Sequence, residues 1–106
     1  MRLYSTAYLA YGIQIPDTDI DRLEEVLQGI DGVGYLTAGR FGDERTYLTT
    51  ECYSADAGEY RAFAPETLER RPEQAAWDAS LKAAAEALGR TEAVMPRWFI
   101  TADLDN

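Results

Sequence analysis

Few side chains in this sequence could carry out covalent or acid–base chemistry. There is one cysteine, Cys52, and no histidine, so the commonest general base and the commonest zinc ligand are both absent. Cys52 falls in a predicted strand, where alternation predicts a buried, unreactive thiol that points toward the helices. The sequence contains no phosphate-binding glycine loop, dinucleotide fingerprint or calcium loop. We therefore expect no catalytic residues, no metal site and no cofactor.

The carboxylates offer one arrangement to consider. Glu51 and Asp103 are both predicted on the outward side of strands that flank the first strand, about 10 Å apart at the usual strand spacing. Arg2 would lie between them, which favours an ion-paired trio. An acid–base dyad would need one buried carboxyl with a raised pKa, and the sequence does not indicate one.

The elements that would position these side chains follow from periodicity. Residues 3–15 alternate and end at Pro16, which is typical of a half-buried strand. Asp17 or Thr18 would then cap a helix, which ends near Gly29 and Gly32. Two further strands are predicted at residues 33–38 and 45–54, joined by a Gly-Asp turn. A second helix begins at Pro72 and ends at Gly89, and a last strand follows Pro96.

The resulting order, β-α-β-β-α-β, is typical of the ferredoxin-like split βαβ fold in the α+β class. It predicts a four-stranded antiparallel sheet in the order 4-1-3-2, with two helices covering one face. A chain of this length buries only one core, so residues 1–106 are predicted to form a single domain. Residues 55–71 are irregular in pattern and are predicted to form a long acidic loop.

The face of the sheet away from the helices is the predicted contact surface. Alternation directs toward the helices the side chains of Leu3, Leu9, Ile13, Leu36, Ala38, Leu48, Cys52, Trp98 and Ile100. The aromatic side chains predicted to face outward are Tyr4, Tyr8, Tyr35, Tyr47, Tyr53 and Phe99. Tyrosine suits interfaces, so a protein partner or a second copy of the chain could cover this face. The alternative is that tyrosine here only reflects strand propensity.

Charge limits the kinds of partner. The net charge is −9, which opposes direct binding to nucleic acid because phosphates must be neutralised by Lys and Arg. The first helix carries a predicted acidic surface formed by Asp17, Asp21, Glu24 and Glu25. Such a surface either keeps the domain soluble or imitates the phosphates of DNA and blocks a nucleic-acid-binding protein or nuclease.

The N-terminal sequence carries a resemblance. Residues 8–12 (YLAYG), followed by 13–16 (IQIP) and an acidic helix, resemble the start of small accessory proteins of phages of high-GC, actinobacterial-type bacteria. The similarity covers about the first twenty residues. It implies an accessory protein that acts inside an infected cell by binding a host protein, and it brings no catalytic residues with it.

These observations predict a non-catalytic interaction protein in the cytoplasm. It would bind a protein partner through the tyrosine-rich face, the acidic helix or both, and no membrane span is expected. Two alternatives stay open. One is the DNA mimic, and the other is a small dimeric ferredoxin-like enzyme or ligand-binding barrel, which would need an enclosed pocket.

Overall fold

The computed structural model describes residues 4–16, 18–40, 43–69, 72–90 and 95–105. Four strands and three helices follow one another along the chain. They are β1 (Tyr4–Ile15), α1 (Ile20–Leu27), β2 (Gly34–Arg40), β3 (Asp43–Asp56), α2 (Pro65–Leu68), α3 (Glu73–Ala87) and β4 (Arg97–Asp105). The expected α+β class with a four-stranded antiparallel sheet is confirmed.

The sheet is built around two long central strands. Its order is β2-β3-β1-β4, which reads 4-1-3-2 from the β4 edge. Among the described residues, β2 pairs with the first half of β3, up to Thr49, and β4 pairs with β1 from Tyr4 to Gly12. The two outer strands are therefore offset along the direction of the central pair.

The helix ends follow from local chemistry. α1 begins after Asp19, whose carboxylate accepts the Asp21 main-chain N–H at 3.4 Å, so the cap is Asp19 and not Asp17 or Thr18. Asp17 lies outside the described residues. α3 ends at Ala87 with Leu88 as its cap, and Gly89, the predicted end of this helix, follows with a φ of +84° that suits glycine. No described helix is both long enough and apolar enough to cross a bilayer.

The core forms where α1 and α3 pack on one face of the sheet. Leu23 of α1 and Leu81 of α3 are fully buried against Leu48 and Ile15. Tyr11 contributes its ring to this cluster, with centroids 5.5 Å from Trp77 and 5.4 Å from Trp98. Its hydroxyl donates a 2.6 Å hydrogen bond to the Asp78 carboxylate of α3. This bond satisfies the polar end of a side chain that is otherwise buried.

A β-bulge in β3 changes which side chains share a face. Gly12 pairs with Thr49 and Tyr11 pairs with Glu51, so Thr50 is the extra residue. Leu48 lies on the helix side before the bulge, and Tyr53 lies on the same side after it. The Tyr53 ring stacks on Trp98 with ring centroids 6.4 Å apart. Strict alternation would have placed these two residues on opposite faces. The predicted inward position of Cys52 is wrong for this reason: it pairs with Ala10 on the opposite face and is exposed.

β2 is also turned over relative to the prediction. Tyr35 pairs with Leu48 and packs against the helix-side core, whereas Leu36 pairs with Tyr47 on the other face. Ala38 shares the face of Leu36 and is 1% exposed. Tyr35 and Leu36 are adjacent, and either side chain can fill apolar space. The alternating pattern of β2 therefore did not determine which of the two faces the helices.

The face away from the helices is less open than predicted, because the sheet curls. β2 and β4 are not neighbours in the strand order, yet they lie against each other. The Gly39 main-chain N–H donates to the Asp103 carboxylate at 3.2 Å, which joins the two outer strands. Ala10, Thr49 and Ala38 are buried on this concave side. The side away from the helices is therefore curved and partly covered, not flat and open as expected, and its role in binding a partner stays a prediction.

The segment 55–71 is more structured than a loop. β3 continues through Asp56, and the short helix α2 occupies Pro65–Leu68. Residues 57–64 connect the two without regular structure. The Ala57 main-chain N–H donates to the Ser5 carbonyl at 3.0 Å, so the start of this connection is tied to β1.

Candidate functional site

The predicted tyrosine-rich face is divided between the two sides of the sheet. Tyr8, Tyr47 and Phe99 lie on the concave side, where their partners in the register include Ser54, Gln14 and Ala10 respectively. Tyr35 and Tyr53 lie on the helix side. The side chain of Tyr4 is outside the described part of the chain. The bulge and the reversed β2 account for this division.

The concave group is packed within the fold. The rings of Tyr47 and Phe99 stack with centroids 4.7 Å apart, and both residues are half-buried. Desolvation raises the pKa of Tyr8 above its ordinary value, and the nearby Asp103, Cys52 and Asp56 raise it further. Curling of the sheet therefore covers part of the expected contact face, although Tyr8 still borders the pocket around Ile100 and Tyr47 and Phe99 border a cavity at the edge of β1.

The acidic helix and the tyrosine set meet at one point. The Tyr35 hydroxyl donates to the Glu24 carboxylate at 3.1 Å, and this bond raises the pKa of Tyr35. Two predicted contact residues thus link α1 to β2. Asp21 and Glu25 are exposed, as is Glu24. The predicted acidic surface is present on α1 at these three positions.

An apolar surface that the alternation did not identify lies at the far end of the helix side. Ile100 pairs with Leu9, which pairs with Tyr53, so the three share this side of the sheet. α3 packs over the other half of the sheet, and Ile100 is 77% exposed. A shallow pocket of about 240 Å³ opens here, hereafter the Ile100 pocket. It is lined by Ala7, Tyr8, Leu9, Tyr53, Ser54, Ala55, Arg61, Phe63 and Ile100.

The connection after β3 forms one wall of the Ile100 pocket. Phe63 meets Tyr53 edge-on with centroids 5.0 Å apart, and the Arg61 guanidinium lies 5.5 Å from the centre of the Tyr53 ring. At the start of this connection, the Glu59 carboxylate accepts a hydrogen bond from the Asp56 main-chain N–H at 2.9 Å. These contacts hold Phe63 beside the sheet. The acidic residues Asp56 and Glu59 are exposed near this end.

A second, larger cavity lies at the edge of β1. β4 stops pairing at Gly12, while β1 continues to Ile15, so this stretch has a strand on one side only among the described residues. The cavity measures about 470 Å³ and is hereafter the β1-edge cavity. Its lining is Gly12, Ile13, Gln14, Ile15, Pro16, Tyr47, Ala85, Arg90, Met95, Arg97, Phe99 and Ile100.

The carboxylates considered in the sequence do not form a pair. Asp103 lies on the concave side and accepts the Gly39 N–H, whereas Glu51 lies across from Tyr11 and accepts the Tyr53 hydroxyl at 3.5 Å. Arg2 is outside the described residues. Within the described ranges, no three Cys, Asp or Glu side chains converge as a metal site would require.

Cys52 is exposed, contrary to the expectation of a buried thiol. Partial desolvation nevertheless raises the pKa of the thiol above its ordinary value. Since the thiolate is the nucleophile, a raised pKa lowers the reactive fraction at neutral pH. Among the described residues, no cation lowers the pKa of Cys52 as it would for an activated cysteine.

We expect Cys52 to react with a disulfide reagent such as DTNB more slowly in the folded protein than in urea at pH 7.5. Cys52 is the only cysteine, so the unfolded chain is a matched reference. The difference between the two reaction rates should become smaller as the pH rises through the pKa of Cys52 in the folded protein. Faster reaction in the folded state at pH 7.5 would show that the thiol is activated.

Comparisons of the chain with protein-family models, with curated proteins and with solved structures found no match.

Proposed function

We propose that this protein is a non-catalytic interaction protein that binds a protein partner through the Ile100 pocket. The observation that carries the proposal is the exposure of Ile100, at 77%, inside a surface formed by Leu9, Tyr53 and Phe63. An exposed apolar side chain in a preformed pocket is typical of the centre of a protein interface. The pocket takes one apolar side chain of a partner as an anchor.

Charge indicates what kind of partner this is. A net charge of −9 favours a basic protein surface over a second copy of the chain, because two copies would repel each other. The exposed Asp56 directly follows Ala55 of the pocket lining and is bonded to the exposed Glu59, so two carboxylates near the pocket face Arg61, the single cation of the described lining, and suit basic residues around the partner's anchor. The partner is therefore a basic protein with an exposed apolar side chain.

The fold and cellular setting complete this proposal. We assign the fold to the ferredoxin-like split βαβ type, supported by the element order and the strand order, with α2 as an addition before α3. A cytoplasmic location agrees with a single unpaired cysteine. The N-terminal resemblance to phage accessory proteins supports inhibition of a host protein as the outcome of binding.

The test compares two exposed isoleucines as matched sites. Wild type, Ile100→Asp and Ile20→Asp are immobilised and incubated with host lysate at 50 and 200 mM salt, after circular dichroism has confirmed that all three fold. Ile20 is 50% exposed on α1, away from the pocket. We expect a basic protein that wild type and Ile20→Asp retain and that Ile100→Asp loses.

Three results would contradict the proposal. A protein retained equally by all three forms, and released at 200 mM salt, would favour the DNA mimic. No retained protein, together with a dimer in light scattering that Ile100→Asp dissociates, would identify a second copy as the occupant. A monomer that retains nothing would contradict an interaction function altogether.

A further inference from the structure

The β1-edge cavity combines a cationic and an apolar lining, which is unusual in a chain of net charge −9. Arg90 and Arg97 both border it, and no described Asp or Glu does. Its volume of about 470 Å³ falls within the range of small-molecule sites. We propose that this cavity binds a small organic carboxylate with an apolar body.

The two arginines differ in what holds them. Arg90 follows the C-terminal end of α3, where the helix dipole stabilises a cation, and it makes further interactions within the fold. Arg97 starts β4 opposite Gly12, which has no side chain, and it is exposed. Arg97 is therefore the guanidinium that receives the carboxylate, in the paired geometry that Arg offers to such groups.

The rest of the lining fits the apolar part of the ligand. Ile13 comes from β1, Phe99 from β4, and Met95, which is 69% exposed, from the approach to β4; Ile15 also borders the cavity but is buried in the core. Met95 is flexible and adapts to the shape of its neighbour. Covering it with a ligand removes apolar surface from water, and this is favourable.

The backbone of β1 adds polar groups at the same place. Residues 13–15 pair with β3 on one side, and on the other side no described strand pairs with them, because β4 begins at Arg97 opposite Gly12. Alternate residues of an antiparallel strand direct N–H and C=O groups to each side. An N–H at this edge supplements Arg97 in binding the carboxylate.

The test is calorimetric titration of the whole chain with octanoate and 3-phenylpropionate, each beside its neutral amide. We expect the acids to bind saturably and the amides to bind at least about tenfold more weakly. In Arg97→Gln, the affinity for the acids should fall by about tenfold or more. The control is Arg22→Gln, which replaces an exposed arginine on α1 and should bind as wild type does. A short peptide with a free C-terminal carboxylate is titrated beside the same peptide with an amidated C-terminus. Tighter binding of this peptide than of the small acids would identify a protein C-terminus, rather than a free acid, as the natural ligand.

Two results would overturn the inference. One is no saturable binding of any carboxylate at millimolar concentration. The other is equal affinity in wild type and Arg97→Gln, or for acid and amide, which would show that the arginine does not recognise charge. Ile100 borders both pockets, but none of the variants used in this titration replaces it. Failure of carboxylate binding would therefore leave the proposed protein partner at the Ile100 pocket untouched.

Discussion

Replacing Gly12 by alanine is expected to destabilise the protein by at least about 3 kcal/mol, the upper end of ordinary overpacking. A Cβ at this position would lie 1.8 Å from the Leu48 carbonyl oxygen and 2.9 Å from its carbon. Both atoms belong to the backbone of β3, so no side-chain rotation relieves the clash. The two central strands would have to separate at the bulge, where Gly12 pairs with Thr49.

Urea denaturation measures this effect, and Gly34→Ala is the matched control. Gly34 pairs with the same Thr49 from the other side, yet a Cβ there would have no atom within 4 Å. We expect Gly34→Ala to raise the free energy of unfolding by no more than about 1 kcal/mol. Since domains of this size are stable by only about 5–15 kcal/mol, the difference in stability between Gly12→Ala and Gly34→Ala should be easy to measure. A Gly12→Ala variant as stable as wild type would contradict the described pairing.

Leu48→Ala is expected to lower the free energy of unfolding by about 2–5 kcal/mol. Leu48 is fully buried between the sheet and the two long helices, so truncation leaves a cavity as well as losing apolar burial. Ile100 is of similar size and also lies in the sheet, but it is 77% exposed. Ile100→Ala should change stability by no more than about 0.5 kcal/mol.

Thermal and urea unfolding of both variants measure the comparison. Equal losses at the two positions would mean that Ile100 is covered in the isolated protein, which would also remove the basis for a partner at that pocket. A near-zero loss for Leu48→Ala would mean that the helices do not pack on this face. The pair of variants therefore tests which half of the sheet the helices cover.

The sequence pattern predicted β1 well and β3 badly, for a physical reason. In β1, Tyr11, Ile13 and Ile15 recur every second residue and all meet the core, so the alternation and the structure agree. In β3 the extra residue, Thr50, resets the alternation, and nothing in its residue type indicates a bulge. Every later side chain of β3 then lies on the face opposite to the predicted one.

The candidate site was harder to predict than the strands. Alternation correctly placed Ile100 on the helix side, but which part of that side a helix covers depends on where α3 lies across the sheet. The curl that partly covers Tyr8, Tyr47 and Phe99 depends on β2 and β4 pairing at different levels along the central strands. Both features arise from tertiary packing, which period-two patterns do not encode.

The contact between β2 and β4 also bears on how this protein behaves at high concentration. The outer strands of an open sheet present unpaired N–H and C=O groups that can recruit strands from other molecules. Here the curled sheet turns β2 and β4 toward each other, and the Asp103 carboxylate occupies the Gly39 N–H. The same curvature that removes a flat binding face thus hinders strand addition where β2 meets β4, whereas β1 keeps an open edge at residues 13–15 among the described residues.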